Sequence, residues 1–504
     1  MGMAHDQFSR RHFFYGTLLA GAIPAGGFGS TPSLKQLGYK SPNEKLNIAA
    51  VGAGGRAADD IRGCATENIV ALCDVDEKTS AYIFQQFDKA TKYKDFRRML
   101  DKESSNIDAV IVAIPDHMHA TVAMWAMERG KGVYVEKPLT RTVWEARMLT
   151  QAAAKYKVAT QMGNQGYSNE GARLAAEILW SGEIGNVTEV HAWTNRPIWP
   201  QGITQIPPAD TPPSTLDWDL WLGGAKPRPY ASGGPEYSKS GGFYQPFNWR
   251  GFFDFGCGAL GDMACHILGA PNMALMLGAP SSVEVIKQEG KNDLTFPKSS
   301  VTRFEFPARH SMPPVKLFWY DAMKDVPMRP PGLAADEVLI GPGLFSRPVG
   351  GPDAAPGGGA RGGVAARGAG GAAGGRAAGA PARRPDQANG AVFIGEKGIL
   401  TTDTYGANVR LLPATHMTEY RLPPQLLTRS PGHHRDWIRA CKGGDAACSN
   451  FSVAGPFTEW IVMGCIALHF EGKLEWDTAK MRFTNRPEAN KYVRPEFRKG
   501  WKFS

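Results

Sequence analysis

The chain has 504 residues, 42% hydrophobic and 21% charged, an ordinary globular composition and too much chain for one core. Its formal net charge of +9 suggests nucleic acid, but residues 1–40 and 351–386 each carry +3 of it, which leaves no basic face on the body of the chain. The seven cysteines include no CxxC pair and no zinc-like spacing, so buried free thiols are expected and a disulfide framework is not.

The N-terminus reads Ser9-Arg10-Arg11-His12-Phe13-Phe14, followed by the weakly apolar run YGTLLAGAIPAGGFG. This order resembles a twin-arginine export signal, and Pro24 with several glycines argues against a membrane-spanning helix. Residues 1–40 are therefore expected to be signal and linker, read by the twin-arginine translocation machinery. The protein is expected to work in the periplasm or elsewhere outside the cytoplasm.

A nucleotide-binding pattern starts at Leu46. The strand LNIAAV runs into Gly52-Ala53-Gly54-Gly55-Arg56-Ala57, a G-x-G-x-x-A turn that opens a helix. The first Gly permits the tight turn, the second lets backbone approach a pyrophosphate, and the small third residue lets helix and strand pack closely. The next strand, IVALC, ends in Asp74, placed to accept hydrogen bonds from both ribose hydroxyls and to repel a 2′-phosphate. NAD is thus favoured, with NADP the alternative. Further β and α segments alternate: DAVIVAI into Pro115-Asp116-His117-Met118-His119, GVYVE into Glu136-Lys137-Pro138, and VATQMG into Asn164-Gln165. A doubly wound parallel sheet over residues 41–165 follows, and these three strand ends should meet at one crevice.

These segments, with Gly261-Asp262-Met263-Ala264-Cys265-His266 further on, resemble the glucose–fructose oxidoreductase, inositol dehydrogenase and MocA family. The resemblance covers most of the chain after residue 45. It implies that Lys137, Asp262 and His266 surround the substrate hydroxyl and the nicotinamide, and that His119 approaches one of them. The chemistry agrees, because Asp262 and His266 share one helix face at i, i+4. Histidine is a suitable base for a hydroxyl proton, and a lysine ammonium stabilises a developing alkoxide. Expected cofactor contacts are Gly52, Gly54, Gly55, Arg56, Ala57, Asp74, Pro115, His119, Glu136, Lys137, Asn164 and Gln165. No metal is expected, although Asp116, His117 and His119 with His266 offer an alternative ligand set.

Residues 166–504 should form an α+β domain with a large open mixed sheet, for substrate binding and, through its outer face, homo-oligomerisation. The aromatics Trp199, Tyr230, Tyr237, Phe243, Tyr244 and Trp249 line a carbohydrate site, or else pack over the sheet or form an oligomer contact. Residues at about 350–390 are nearly all Gly, Ala, Pro and Arg, a composition expected to form a disordered insert between two strands. The expected activity is NAD(P)-dependent oxidoreduction at a secondary hydroxyl of a sugar, glycoside or polyol, with the cofactor tightly bound. The alternatives are a glycoside-cleaving enzyme working through a keto-sugar and a non-catalytic sugar-binding relative.

Overall fold

Six parallel strands build the first layer of the computed structural model: β1 (Asn47–Val51), β2 (Asn68–Cys73), β3 (Thr91–Tyr93), β4 (Ala109–Val112), β5 (Gly132–Glu136) and β6 (Thr160–Gly163), in the order β3-β2-β1-β4-β5-β6. This is the doubly wound sheet that the alternating pattern implied. Strands β4, β5 and β6 are buried along their whole length, and β4 is accordingly a continuous apolar run, whereas β5 and β6 also bury Glu136, Thr160 and Gln161. The connecting helices are α1 (Arg56–Gly63), α2 (Glu77–Gln86), α3 (Phe96–Lys102), α4 (Asp116–Glu128) and α5 (Val143–Tyr156). The structure describes residues 44–234, 237, 242–326, 330, 332–334, 336–344 and 389–503. The expected export signal lies outside them, as does the Gly/Ala-rich insert except for Asn389 and Gly390, the latter of which begins a strand.

The second layer is a nine-stranded mixed sheet in the order β13-β12-β11-β7-β10-β9-β8-β14-β15. Its strands are β7 (Val187–Trp193), β8 (Ser282–Glu289), β9 (Ser299–Phe306), β10 (Val315–Tyr320), β11 (Gly390–Gly395), β12 (Ile399–Asp403), β13 (Val409–Leu412), β14 (Gly472–Asp477) and β15 (Arg482–Phe483). Strands β7 and β10 run parallel, and the other pairs are antiparallel. One face packs on the helices through Val190, Ala192, Leu317 and Trp319. On the opposite face Trp193, Tyr320, Val392 and Leu412 are covered by Met323, Leu333, Leu339 and Ile340 of the chain's own segment after β10. The helices of this half are α6 (Glu170–Trp180), α7 (Trp218–Leu222), α8 (Gly258–Ile267), α9 (Gly269–Ala274), α10 (Ala414–Glu419), α11 (His433–Cys441) and α12 (Phe451–Ala467).

Two of these helices return to the first sheet, which local sequence pattern did not indicate. Trp437 and Ile438 of α11 share a core with Ile48, Ala50, Leu72, Ile111 and Tyr134 of the Rossmann strands. Helix α12 lies along α5, where Arg147 clasps Glu459 through two contacts of 2.6 Å. The described residues from Lys45 onward consequently form one compact unit. Of the aromatic loop, Trp199, Phe243, Tyr244 and Trp249 are buried, and Phe243, Tyr244 and Trp249 share one aromatic core with Phe252 and Phe255. Tyr230 and Tyr237 pack against this core half-buried.

Candidate functional site

The glycine turn is shaped for a close ligand. Gly52 has φ 91°, and a Cβ there would lie 2.2 Å from the Ala113 carbonyl oxygen, so only glycine fits. Gly55 has φ 54° with nothing within 4 Å of where its Cβ would point, leaving the N-terminus of α1 open. Asp74 stands beside this turn: Oδ2 accepts from the amides of Ala53 at 2.8 Å and Gly54 at 3.3 Å, and Oδ1 from Asp76 at 2.9 Å. Burial raises its pKa against the pull of these three amides. This geometry fits a dinucleotide, with the diphosphate over Gly54–Ala57 and a ribose at Asp74.

Arg56 points away from that ribose. Its guanidinium reaches Glu136 Oε1 at 3.2 Å and Asp60 Oδ1 at 2.9 Å, and Gln165 Nε2 donates to the same Glu136 oxygen at 2.7 Å. Burial and repulsion from Asp60 raise the Glu136 pKa, while Arg56 and Lys137 counter them. Arg56, Glu136 and Gln165 thus form one polar cluster that joins the glycine turn to the ends of β5 and β6. Asn164 is fully buried, accepting from Ser449 Oγ at 2.7 Å and donating to the Cys265 carbonyl at 3.4 Å.

At the end of β5, Lys137 Nζ lies 2.6 Å from Asp262 Oδ1 and 2.9 Å from the Asp262 carbonyl oxygen. Two of its three N–H donors are so engaged, and one is left for a ligand. Asp262 sits on α8, with His266 one turn further along the same helix. Burial opposes ionisation of Asp262, but Lys137 and Arg250 outweigh it and hold the carboxyl far below the usual range. His266 is buried with an unpartnered Nδ1, and the ring of Tyr405 meets it edge-on at 5.0 Å. Burial, then the charge of Lys137, depresses its pKa well below the ordinary histidine value, so the ring is neutral and able to accept a proton.

His119 lies between two strand-end turns. Its Nδ1 lies 2.8 Å from the Pro138 carbonyl oxygen and its Nε2 2.7 Å from that of Ile114, and burial favours the neutral ring, whose single N–H donates to one of these two carbonyls at a time. Pro115 caps α4. His117 engages only one nitrogen, with Nε2 at 3.2 Å from the carbonyls of both Trp221 and Leu222 and Nδ1 buried without a partner among the described residues. Among the described residues, no three His, Cys, Asp or Glu side chains come together as a metal-ligand cluster.

Arg250 and Tyr405 escaped sequence reasoning, and Asp116 was read there only as an alternative metal ligand. Arg250, stacked over Trp249 at 4.3 Å, places Nε 3.3 Å from Asp262 Oδ1. Its position just before the D-x-x-x-H segment was the available signal. Asp116 is buried at the start of α4, and burial pushes its carboxyl up to about 7 despite Arg250 and Lys137. Tyr405, on the turn between β12 and β13, carried no signal.

Comparison with known proteins agrees with a dinucleotide-binding first half. Residues 46–164 match the NAD-binding Rossmann fold of the Gfo/Idh/MocA oxidoreductase family, and residues 180–296 match that family's C-terminal alpha/beta domain. An inositol 2-dehydrogenase of Serratia proteamaculans is 29% identical over 183 residues, covering 35% of this chain and 54% of that protein. A glycosyl hydrolase family 109 protein of Solibacter usitatus is 29% identical over 203 residues, 36% of this chain and 45% of that protein. The chain thus spans about half the length of the curated relatives it matches. The WlbA dehydrogenase of Bordetella pertussis, solved with NADH and UDP-GlcNAcA, shares the fold with a TM-score of 0.52 at 14% identity, covering 86% of this chain and 99% of that one.

Proposed function

We propose that the chain is a member of the Gfo/Idh/MocA oxidoreductase family, whose models match residues 46–164 and 180–296, and that it moves hydride between a secondary hydroxyl of a sugar, glycoside or polyol and a nicotinamide dinucleotide. The observation that carries this reading is a neutral imidazole, His266, one helical turn from a carboxylate that anchors Lys137. When bound, the dinucleotide supplies the hydride acceptor. Lys137 gives its remaining N–H to the substrate oxygen and stabilises charge developing there. His266 accepts the hydroxyl proton, and Asp262 fixes the ammonium while presenting its second oxygen to a neighbouring hydroxyl.

Asp74 makes NAD the preferred cofactor. The Arg10-Arg11 pattern supports export by the twin-arginine route with cofactor already in place. An enzyme without access to a soluble nicotinamide pool must reoxidise its cofactor within one cycle, so the net reaction is redox-neutral. Homo-oligomerisation would use the part of the outer sheet face not covered by the segment after β10.

Glycoside cleavage through a keto-sugar is the second reading, and Asp116 favours it. A carboxyl that titrates at about 7 beside Lys137 and Arg250 is a second proton-handling group, which elimination and reprotonation require. The test is mass spectrometry of small molecules released from purified, denatured protein, followed by turnover assays on sugars, inositols and aryl glycosides without added NAD. Released NAD and turnover without added cofactor are the expected outcomes. Protein that purifies empty and consumes added NAD stoichiometrically refutes the closed cycle, and protein that neither contains nor binds NAD refutes the reading altogether.

A further inference from the structure

One segment of the second half is bound to the nucleotide half at two separate places. At the first, Asp76 and Leu216 form an antiparallel bridge: the Glu77 amide donates to the Thr215 carbonyl at 3.0 Å, and the Asp217 amide to the Val75 carbonyl at 2.9 Å. Leu216 is buried and shares a core with Trp221, Leu222 and Val75. At the second, the carbonyls of Trp221 and Leu222 meet His117 Nε2, and the Gly224 amide donates to Met118 Sδ at 3.2 Å. Between the anchors the segment is stiff. Asp217 caps α7 by accepting from the Leu220 amide, and the rings of Trp218 and Trp221 stack at 4.7 Å. The C-terminal tail holds it from outside, where Arg498 donates its amide to the Gly224 carbonyl at 3.0 Å and Nη2 to the Asp219 carbonyl at 3.1 Å.

The strand order decides where this segment runs. Val75–Glu77 follow β2, and His117 and Met118 follow β4, while β1 lies between β2 and β4. Residues 215–224 therefore cross the carboxyl end of β1, from which the Gly52–Gly55 turn rises. A dinucleotide with its diphosphate at that turn and its ribose at Asp74 has its adenosine half between the two anchors.

We propose that residues 215–224 are a strap that retains the dinucleotide between turnovers. This rests on the dinucleotide reading above. Cofactor release requires one anchor to open, a local unfolding step that breaks two ladder hydrogen bonds and exposes Leu216 at the first anchor. The strap gives a structural basis for a cofactor regenerated in place.

The bridge pair supplies the test. The two ladder bonds flank Asp76 and Leu216, which makes them a non-hydrogen-bonded pair with Cα atoms about 4.5 Å apart, within reach of a disulfide. The variant Asp76→Cys with Leu216→Cys is saturated with NADH under reducing conditions and then oxidised. NADH release into excess NAD is followed by fluorescence in both states of the same protein. Release is expected to be at least about tenfold slower in the oxidised state. A second variant, Leu216→Asn, unseats the strap without a cross-link and is expected to release NADH about tenfold faster than wild type. Release that is equal in both redox states, or equal in Leu216→Asn and wild type, overturns the strap alone. Wild-type protein that binds no NADH overturns the dinucleotide reading and the strap together, and it does so before any lock is closed.

Discussion

Replacing Lys137 by Met keeps most of the side chain's length and removes its charge. Two contacts go, the 2.6 Å pair with Asp262 Oδ1 and the 2.9 Å bond to the Asp262 carbonyl. Loss of one preorganised donor at a developing oxyanion lowers turnover by about 10²–10³, or ~3–4 kcal/mol of transition-state stabilisation. Breaking a fully buried ion pair from one side costs about 3–5 kcal/mol of stability. Here Arg250 stays 3.3 Å from the same oxygen, and the paired side chains keep 14% and 13% of their exposure. The stability cost is therefore about 1–2 kcal/mol. Adding Asp262→Asn should recover that stability without recovering turnover, because the carboxylate no longer needs a partner. The pH profile carries a further consequence. Lys137 is, after burial, the main influence depressing His266, so the variant's histidine binds its proton more readily. Activity that requires a neutral base falls as pH drops through that base's pKa, so the acid limb of the Lys137→Met profile moves to higher pH. The assay is kcat and kcat/KM on a sugar or polyol that the wild type turns over, across about pH 5–9, with bound nicotinamide and Tm measured alongside. Turnover within about fivefold of wild type, or an acid limb that does not move, refutes the assigned role of Lys137.

Asp74→Ala should weaken NAD binding and narrow the NAD/NADP ratio of dissociation constants, as titration of both cofactors will show; an unchanged ratio refutes the ribose role. For Asp116→Asn the sign follows from a folded-state pKa of about 7 against an ordinary 3.8. The wild-type carboxyl is tolerated while protonated, and stability is lost as pH rises from about 4 through 7. The variant should therefore gain on wild type over that window by about 4 kcal/mol, at ~1.4 kcal/mol per pKa unit. Denaturation curves at pH 5 and pH 8 that leave the two proteins equally separated would contradict this. Trp437→Ala opens a cavity under the nucleotide sheet at a fully buried position, with a cost of about 3–5 kcal/mol, seen as a lower Tm and weaker NADH binding.

The glycine turn, the carboxylate after β2, the lysine after β5 and the Asp262–His266 pair were all legible in the sequence. Each is set by backbone geometry over a few residues: a positive φ at Gly52, a strand that ends where its apolar run ends, and a helix that brings i and i+4 to one face. What those groups do to one another was not legible. Lys137 and Asp262 are 125 positions apart, and the His119 ring sits between carbonyls on two separate turns. Asp116 reads as one of several polar residues in PDHMH until burial lifts its pKa against the opposing pull of Arg250 and Lys137. Helix α11 looks like a surface helix, yet Trp437 and Ile438 complete the core of a sheet formed more than 270 residues earlier. The sequence by itself determined the strands, the turn and the chemical types at the crevice, because short-range sterics and hydrogen bonding decide those. Tertiary structure alone decided which groups are charged, which are structural ties and what crosses the carboxyl end of β1. Desolvation and long-range pairing exist only once distant segments have packed together.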